Sequence, residues 1–165
     1  MCGIAGYFNP GGHPGDIGPI LDLISHRGPD FQHIHTEENI ALGHTRLSIL
    51  DLSNRGNQPM KDPKTGNIIV FNGEIYNFKS LREELISKGH TFNSSGDTEV
   101  LLKLYGEYGE QCISMLRGMF AFAIWDNAKK QLFIARDRLG KKPFFYSQSS
   151  NNFIFASEIR ALAAH

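Results

Sequence analysis

Short apolar runs separated by glycine, proline and polar residues recur along the chain and predict many β-strands. The first run, at residues 3–8, is apolar or glycine at every position and predicts a buried strand that begins almost at the N-terminus. Residues 68–71 predict a strand that stops at Asn72-Gly73, a dipeptide typical of turns. The other runs predict strands at residues 31–36, 40–50, 119–125, 131–135, 144–147 and 153–156, of which the last four form two hairpins.

Apolar residues spaced three and four positions apart predict helices between these strands. Asp16 is expected to cap the first helix and Asn77 the second. The second helix should end at Gly89, because glycine readily adopts the left-handed conformation that ends helices. Gly96 precedes the third helix, whose first turn is acidic, as the helix dipole favours. Residues 158–164 also have a helical pattern.

The order of these elements predicts an α+β fold. Strands in tandem hairpins, with a few helices grouped between them, favour antiparallel sheets with helices on their outer faces over a doubly wound parallel sheet. The chain has 165 residues, a length typical of one domain. No change in composition marks a linker, so we expect one layered sandwich over residues 1–165.

Composition and charge argue against several classes of protein. Seventeen Lys and Arg residues balance seventeen Asp and Glu residues, so no nucleic-acid-binding surface is expected. No apolar stretch is long enough to cross a bilayer, and no basic segment followed by a long apolar run marks a signal peptide. We therefore expect no membrane attachment and a cytoplasmic location.

Cysteine and histidine residues give no pattern of metal ligands. Cys2 and Cys112 are too few for a disulfide scaffold, and neither lies in a zinc-binding spacing. Several histidines, His44 among them, raise the question of a metal, and His33 and His35 would point to one side of a strand. Because the sequence places no third and fourth ligand beside them, we expect no metal site.

Cys2 is the candidate nucleophile. Removal of Met1, which the small side chain at position 2 permits, would leave a thiol and a free α-amine on one residue. The amine, with a reference pKa of about 7.7–8.0, can accept the proton of a thiol whose reference pKa is about 8.5. The alternative is a structural cysteine, because cysteines often serve as small buried hydrophobic residues.

Asn72-Gly73 is the candidate oxyanion hole. A thiolate that attacks a carbonyl group needs hydrogen-bond donors for the developing negative charge. The Asn72 side-chain amide and the backbone N–H of Gly73, which no Cβ obstructs, would form a suitable pair of donors. The alternative is an ordinary Asn-Gly turn.

A resemblance to one family rests on seven motifs that occur in its characteristic order. They are Met1-Cys2-Gly3-Ile4, HRGPD at 26–30, HTRLSI at 44–49, Gln58-Pro59, NGEIYN at 72–77, GDTE at 96–99 and RDRLG at 136–140. With these motifs the chain resembles the glutaminase domain of class II glutamine amidotransferases, most closely that of glutamine-dependent asparagine synthetases. The resemblance extends from residue 1 to about residue 162.

This resemblance implies a four-layer αββα sandwich of the N-terminal-nucleophile hydrolase type. It also implies hydrolysis of L-glutamine to glutamate and ammonia through a γ-glutamyl thioester. In this interpretation Cys2 is the nucleophile, its own α-amine is the base, and Asn72 and Gly73 form the oxyanion hole.

The resemblance also implies which residues bind the substrate. Arg46 would pair with the α-carboxylate of glutamine, and Asp97 would hold its α-ammonium with help from Glu74. The chemistry suits these roles, because a free amino acid presents two opposite charges and a planar guanidinium fits a carboxylate. The alternatives are a surface ion pair for Arg46 and a helix cap for Asp97.

In this family the glutaminase domain is joined to an ATP-using synthetase domain that contains a Ser-Gly-Gly-x-Asp-Ser phosphate loop. This sequence lacks that motif, so we expect ATP and magnesium to bind only to a synthetase domain or subunit that receives the ammonia. No cofactor is expected for residues 1–165, and aspartate is the expected nitrogen acceptor. A homodimer, a catalytically silent binding domain of the same fold and an amidohydrolase for another amide stay open as alternatives.

Overall fold

Two antiparallel sheets form the centre of the computed structural model, which describes residues 1–164. The first sheet has five strands in the order β2-β3-β1-β9-β8, and the second has four in the order β4-β5-β6-β7. The strands are β1 Gly3–Phe8, β2 Phe31–Glu37, β3 Ile40–Arg46, β4 Met60–Lys61, β5 Ile68–Ile75, β6 Gly118–Asp126, β7 Gln131–Arg136, β8 Phe145–Gln148 and β9 Phe153–Ala156.

Helices occupy the two outer faces of this pair of sheets. They are α1 Gly18–Leu23, α2 Phe78–Ser87, α3 Asp97–Tyr108, α4 Cys112–Met115 and α5 Ile159–Ala163. Residues of α1 and α5 pack in one apolar cluster on the outer face of the first sheet, and residues of α2, α3 and α4 pack in another on the outer face of the second. A third cluster lies between the sheets. The layers follow the order αββα, which confirms the predicted fold class.

The alternation of side chains along β1 and β5 produces this layering, because successive residues of a strand face opposite sides of a sheet. In β1, Ile4 lies between the sheets and Ala5 packs beneath the outer helices. In β5, Val70 lies between the sheets and Phe71 packs on the helical side. By the same alternation, Asn72 faces the space between the sheets.

Two predicted strand ends are wrong. β3 ends at Arg46, because beyond it the chain leaves β1 and β2. β5 passes through Asn72-Gly73 and ends at Ile75. Pairing with β6 along its whole length keeps this dipeptide extended, with Gly73 opposite Phe120. The dipeptide is therefore not a turn.

The structure also differs from the prediction at two helix caps. α1 begins at Gly18, so Ile17 and not Asp16 holds the N-cap position. The Asp16 carboxylate still accepts the N–H of Gly18, at 2.8 Å. Asn77 does hold the N-cap position of α2, but its side chain donates to the carbonyl of Met115 and accepts the N–H of Arg117, both at 2.9 Å. Asn77 thus ties the start of α2 to the segment before β6.

Candidate active site

A cavity of about 550 Å³, open to solvent, lies where β1 begins and β3 ends. Four of the six predicted site residues line it: Cys2, Arg46, Gly73 and Asp97. The other two, Asn72 and Glu74, flank Gly73 in β5. The rest of the lining is His44, Leu47, Ile49, Leu50, Asp51, Gly56, Gln58, Met60, Phe71, Ser94, Gly96 and Thr98.

Cys2 is half-buried, and its sulfur faces the backbone of Leu47 just after β3. The Leu47 N–H lies 3.4 Å from Sγ, and Sγ lies 3.6 Å from the Leu47 carbonyl oxygen. The first pair of β1 and β3, Gly3 with Thr45, fixes this approach. Since the sulfur reaches the cavity, Cys2 is not a packing residue of the core, whereas Cys112 is fully buried. The Cys2 nitrogen is part of the Met1–Cys2 peptide bond in this structure.

Arg27 holds the backbone of the candidate nucleophile. Its Nε donates to the carbonyl oxygen of Cys2 at 3.0 Å, and its Nη1 donates to Glu158 at 3.1 Å. Burial raises the pKa of Glu158, but hydrogen bonds from Arg27 and His26 outweigh this effect and hold that pKa below its usual range. Sequence analysis gave Arg27 no role beyond its place in the motif at residues 26–30, so this contact is a finding of the structure.

The backbone of β5 presents a donor to the cavity at Gly73. In an antiparallel strand, alternate residues direct their N–H groups to opposite edges. The N–H of Phe71 donates to Gln58 Oε1 at 2.6 Å, and that of Ile75 donates to Asp97 Oδ2 at 2.9 Å, both on the edge away from β6. Gly73 lies midway between them, so its N–H points toward the same edge, where the cavity lies.

A side chain at position 73 would not fit. A Cβ built on Gly73 would lie 2.4 Å from the carbonyl oxygen of Met119 in β6, a distance that real Cβ atoms do not show. Glycine is therefore required for the close pairing of β5 with β6 that fixes the direction of this N–H.

Asn72 supplies a second candidate donor. Its side chain is 2% exposed, and its Nδ2 has no hydrogen-bond partner among the described residues. A buried polar group without a partner costs about 1–3 kcal/mol, so such groups usually await a ligand or water. The position of Asn72 beside Gly73 is consistent with the predicted oxyanion hole.

Arg46, the last residue of β3, is buried and held by the following loop. Its Nη1 donates to the Ser53 carbonyl at 2.8 Å and to Asn57 Oδ1 at 2.6 Å, and its Nη2 donates to the Asp51 carbonyl. These bonds use three of the five guanidinium N–H groups and leave Nε–H and one Nη2–H. No ion pair joins Arg46 to a carboxylate within residues 1–164, which argues against the alternative of a surface ion pair.

Asp97 opens α3 and turns its carboxylate toward β5. Its Oδ2 accepts the N–H of Ile75 at 2.9 Å. The pKa of Asp97 is raised to about 6, mainly by burial and also by the charge of nearby Glu74, while backbone hydrogen bonds act in the opposite direction. An incoming ammonium group would favour the ionised carboxylate. Asp97 thus combines a place in the first helical turn with a place in the cavity.

His44 is a fully buried residue of the cavity wall that sequence analysis left without a role. Burial lowers the pKa of its imidazole to about 3, a contact with the Phe71 backbone acts in the opposite direction, and the nearby charge of Arg46 adds to the lowering. Neither ring nitrogen makes a hydrogen bond of normal geometry with the described residues. The imidazole is therefore neutral over the physiological pH range. Within residues 1–164 no group of three or more His, Cys, Asp or Glu side chains could hold a metal ion.

The chain is similar in sequence and in fold to known proteins. A family model described as a glutamine amidotransferase domain matches residues 1–165. An asparagine synthetase [glutamine-hydrolyzing] of Bacillus subtilis is 47% identical over 148 residues, which cover 88% of this chain and 24% of that protein. A putative asparagine synthetase of Methanocaldococcus jannaschii is 41% identical over 99% of this chain and 35% of its own length.

A fungal protein named amidase chry2, from Gibberella zeae, is 40% identical and covers 99% of this chain and 26% of its own length. The chain thus spans about a quarter to a third of the length of these relatives. Among solved structures, the B. subtilis glutamine phosphoribosylpyrophosphate amidotransferase superposes with a TM-score of 0.78 at 24% identity, over 98% of this chain and 43% of that one. That likeness shows the fold. The described helices include none that is long and apolar enough to cross a membrane.

Proposed function

The chain belongs to the glutamine amidotransferase family, and on that premise we propose that it hydrolyses L-glutamine to L-glutamate and ammonia through a thioester on Cys2. The observation that carries the proposal is the meeting of Cys2, Arg46, Gly73 and Asp97 in one cavity. These residues come from four separate segments of the chain, and together they offer a nucleophile, a donor for an oxyanion, a cation and an anion.

The first half of the reaction forms the thioester. Removal of Met1 frees the α-amine of Cys2, which takes the proton of the thiol. The sulfur forms a bond to the amide carbon of glutamine, and the carbonyl electron pair moves to oxygen, where Gly73 N–H and the Asn72 amide donate hydrogen bonds. The carbon–nitrogen bond then breaks, and the α-ammonium of Cys2 returns its proton to the departing nitrogen, which leaves as ammonia.

The second half releases glutamate. A water molecule gives a proton to the α-amine of Cys2 while its oxygen bonds to the thioester carbon. The same oxyanion donors stabilise the new negative charge. The carbon–sulfur bond breaks, and the sulfur recovers the proton from the amine. The enzyme is then ready for another turnover.

Two charged residues select a free amino acid as substrate. Arg46 binds the α-carboxylate through the guanidinium donors that the loop leaves free, and Asp97 binds the α-ammonium with Glu74 beside it. Together they would fix the α-carbon of glutamine in the cavity and so determine where its side-chain amide can reach. An amidohydrolase for another amide would not need this pair, and a silent binding domain would need neither a thiol at the cavity nor an unpartnered buried amide.

The names of the relatives extend the proposal to the fate of ammonia. Several are called asparagine synthetases [glutamine-hydrolyzing]. We propose that ammonia passes to an ATP-dependent synthetase domain or subunit in the cytoplasm, with aspartate as acceptor. ATP and magnesium would bind there, and the cavity described here would bind glutamine alone.

The test is glutamate release by the purified protein after intact mass has shown whether Met1 is absent. Cys2→Ala should abolish glutamate release, because the nucleophile is gone, while glutamine binding stays measurable by calorimetry. Cys112→Ala is the matched control and should keep activity, since Cys112 lies in the core away from the cavity. A Cys2→Ala protein that releases glutamate at the native rate would refute the proposal, as would full activity in a protein that retains Met1.

A further inference from the structure

Gln58 lies in the loop between β3 and β4 and has two buried hydrogen bonds. Its Oε1 accepts the N–H of Phe71 at 2.6 Å, and its Nε2 donates to the hydroxyl of Thr98 at 3.2 Å. The residue is 5% exposed and lines the cavity. One side chain therefore joins strand β5 to the first turn of α3.

A second link joins the same two elements four residues further along β5. The Asp97 carboxylate accepts the N–H of Ile75 directly at 2.9 Å. The two links to β5, at Phe71 and Ile75, enclose the segment that contains Asn72 and Gly73. The first turn of α3 thus holds β5 on both sides of the candidate oxyanion hole.

The sheet itself does not supply the first of these links. β4 pairs with β5 only at Ile68 and Ile69, so Phe71 has no strand partner on that edge. Its buried N–H would lack an acceptor without Gln58. This arrangement makes the Gln58 side chain a substitute for a missing strand neighbour at the point where β5 enters the cavity.

We propose that Gln58 is a positioning residue that fixes the oxyanion donors of β5 relative to the ammonium-binding Asp97. The inference rests on the proposed function, because it concerns the same glutamine molecule. A substrate anchored at Asp97 presents its amide carbonyl at a fixed distance, and the donors must lie at that place. An error of about 1 Å in such an arrangement can lower the rate about 100-fold.

The link can be broken at either end with side chains of nearly the same size. Gln58→Met removes both hydrogen bonds, whereas Thr98→Val removes only the bond to α3. Thr98→Ser keeps the hydroxyl group and is the matched control. We expect Gln58→Met to lower kcat about 10- to 100-fold, with a smaller loss for Thr98→Val and near-native kcat for Thr98→Ser.

Substrate affinity separates positioning from general damage to the fold. Arg46 and Asp97 remain in all three variants, so the KM for glutamine should change less than about twofold, because uniform binding is kept. The affinity for glutamine, measured by calorimetry in a Cys2→Ala background, should likewise change less than about twofold. The double variant Gln58→Met/Thr98→Val should be no slower than Gln58→Met alone, because Gln58→Met already removes the hydrogen bond that Thr98→Val breaks. Native kcat in Gln58→Met, or additive losses in the double variant, would overturn the proposal.

Amide hydrogen exchange gives a readout that does not depend on catalysis. Gln58→Met should speed exchange at the hydrogen-bonded amides of Phe71 and Ile75 relative to the centre of β6, and Thr98→Ser should not. Unchanged exchange at both amides would overturn the positioning role. If the native protein released no glutamate, the proposed function would fail, and the exchange data would still decide whether Gln58 fixes β5.

Discussion

The two sides of the cavity are built from different kinds of structure. On one side Asn72 and Gly73 lie within β5, which pairs with β6 from Ile68 to Ile75. On the other side Arg46 ends a strand, and three groups of the 51–57 loop hold its guanidinium. That loop also carries Leu52, which is 77% exposed. The proposed oxyanion donors thus lie on the sheet, whereas the proposed carboxylate anchor depends on a loop.

This difference predicts how variants on each side should behave. A sheet resists local displacement, so it suits groups whose position decides the rate of a chemical step. A loop adjusts more easily, so it suits groups that capture and release a substrate. We expect changes on the strand side to alter kcat and changes on the loop side to alter KM.

The largest effect should come from the strand side. Asn72→Ala removes an oxyanion donor and should lower kcat about 100- to 1,000-fold with little change in KM, as steady-state glutamate release would show. Asn151→Ala, at an exposed turn, is the control and should change neither kcat nor KM. If Asn72→Ala raised KM and left kcat intact, the proposed division between strand and loop would be wrong.

An intermediate effect is expected from the loop side. Arg46→Lys keeps the positive charge but loses the bidentate geometry and the contacts with the loop. Charged hydrogen bonds contribute about 1.5–3 kcal/mol, so KM should rise about 10- to 100-fold while kcat stays near native. Arg55→Lys, which alters an exposed arginine of the same loop, should leave KM unchanged. An unchanged KM in Arg46→Lys would remove that residue from carboxylate binding.

The smallest effect concerns pH and Asp97, which joins the two sides. Its pKa is raised to about 6 by burial, and only the ionised form pairs with an ammonium group. We expect kcat/KM to fall about tenfold for each pH unit below 6. This fall of kcat/KM at low pH should be absent from the residual activity of Asp97→Asn. If the variant had the same pH profile as the native protein, the fall would come from another titrating group.

Stability should depend on Asp97 in the opposite direction. Since its folded pKa lies above the unfolded value, the folded state binds the extra proton between about pH 4 and pH 6. The resulting stabilisation is complete below this window and is lost as the pH rises through about 6. Asp97→Asn should therefore raise the melting temperature more at pH 8 than at pH 4, as calorimetry at the two values can measure.

Local patterns predicted antiparallel sheets with helices on their outer faces, and the family resemblance predicted four of the residues that line the cavity. The run at residues 3–8 forms β1 with the predicted bounds, because every position is apolar or glycine and both faces are buried. The order of the four layers, αββα, was implied by the family resemblance. Motif resemblance identified Cys2, Arg46, Gly73 and Asp97, which the fold brings together. The roles of these residues in catalysis and binding remain predictions.

Contacts between distant parts of the sequence account for what was missed. Asn72-Gly73 has the local preference of a turn, but pairing with Phe120 and Ala121 of β6 overrides it. The contact of Arg27 could not be predicted, because its partner Glu158 lies 131 positions away. Gln58 likewise gains its contacts only when β5 and α3 come together. No local pattern could reveal either role.

The hydrogen bonds between Ile4 and Ser157 have a consequence for synthesis of the chain. Ile4 N–H donates to the Ser157 hydroxyl and the Ser157 N–H donates to the Ile4 carbonyl, both at 2.9 Å, while Arg27 spans from Cys2 to Glu158. On the ribosome the first residues emerge long before residue 158 is made. Met1 can thus be trimmed from a still unfolded terminus, and residues 2–4 gain the full set of these contacts only after translation has delivered residues 157 and 158.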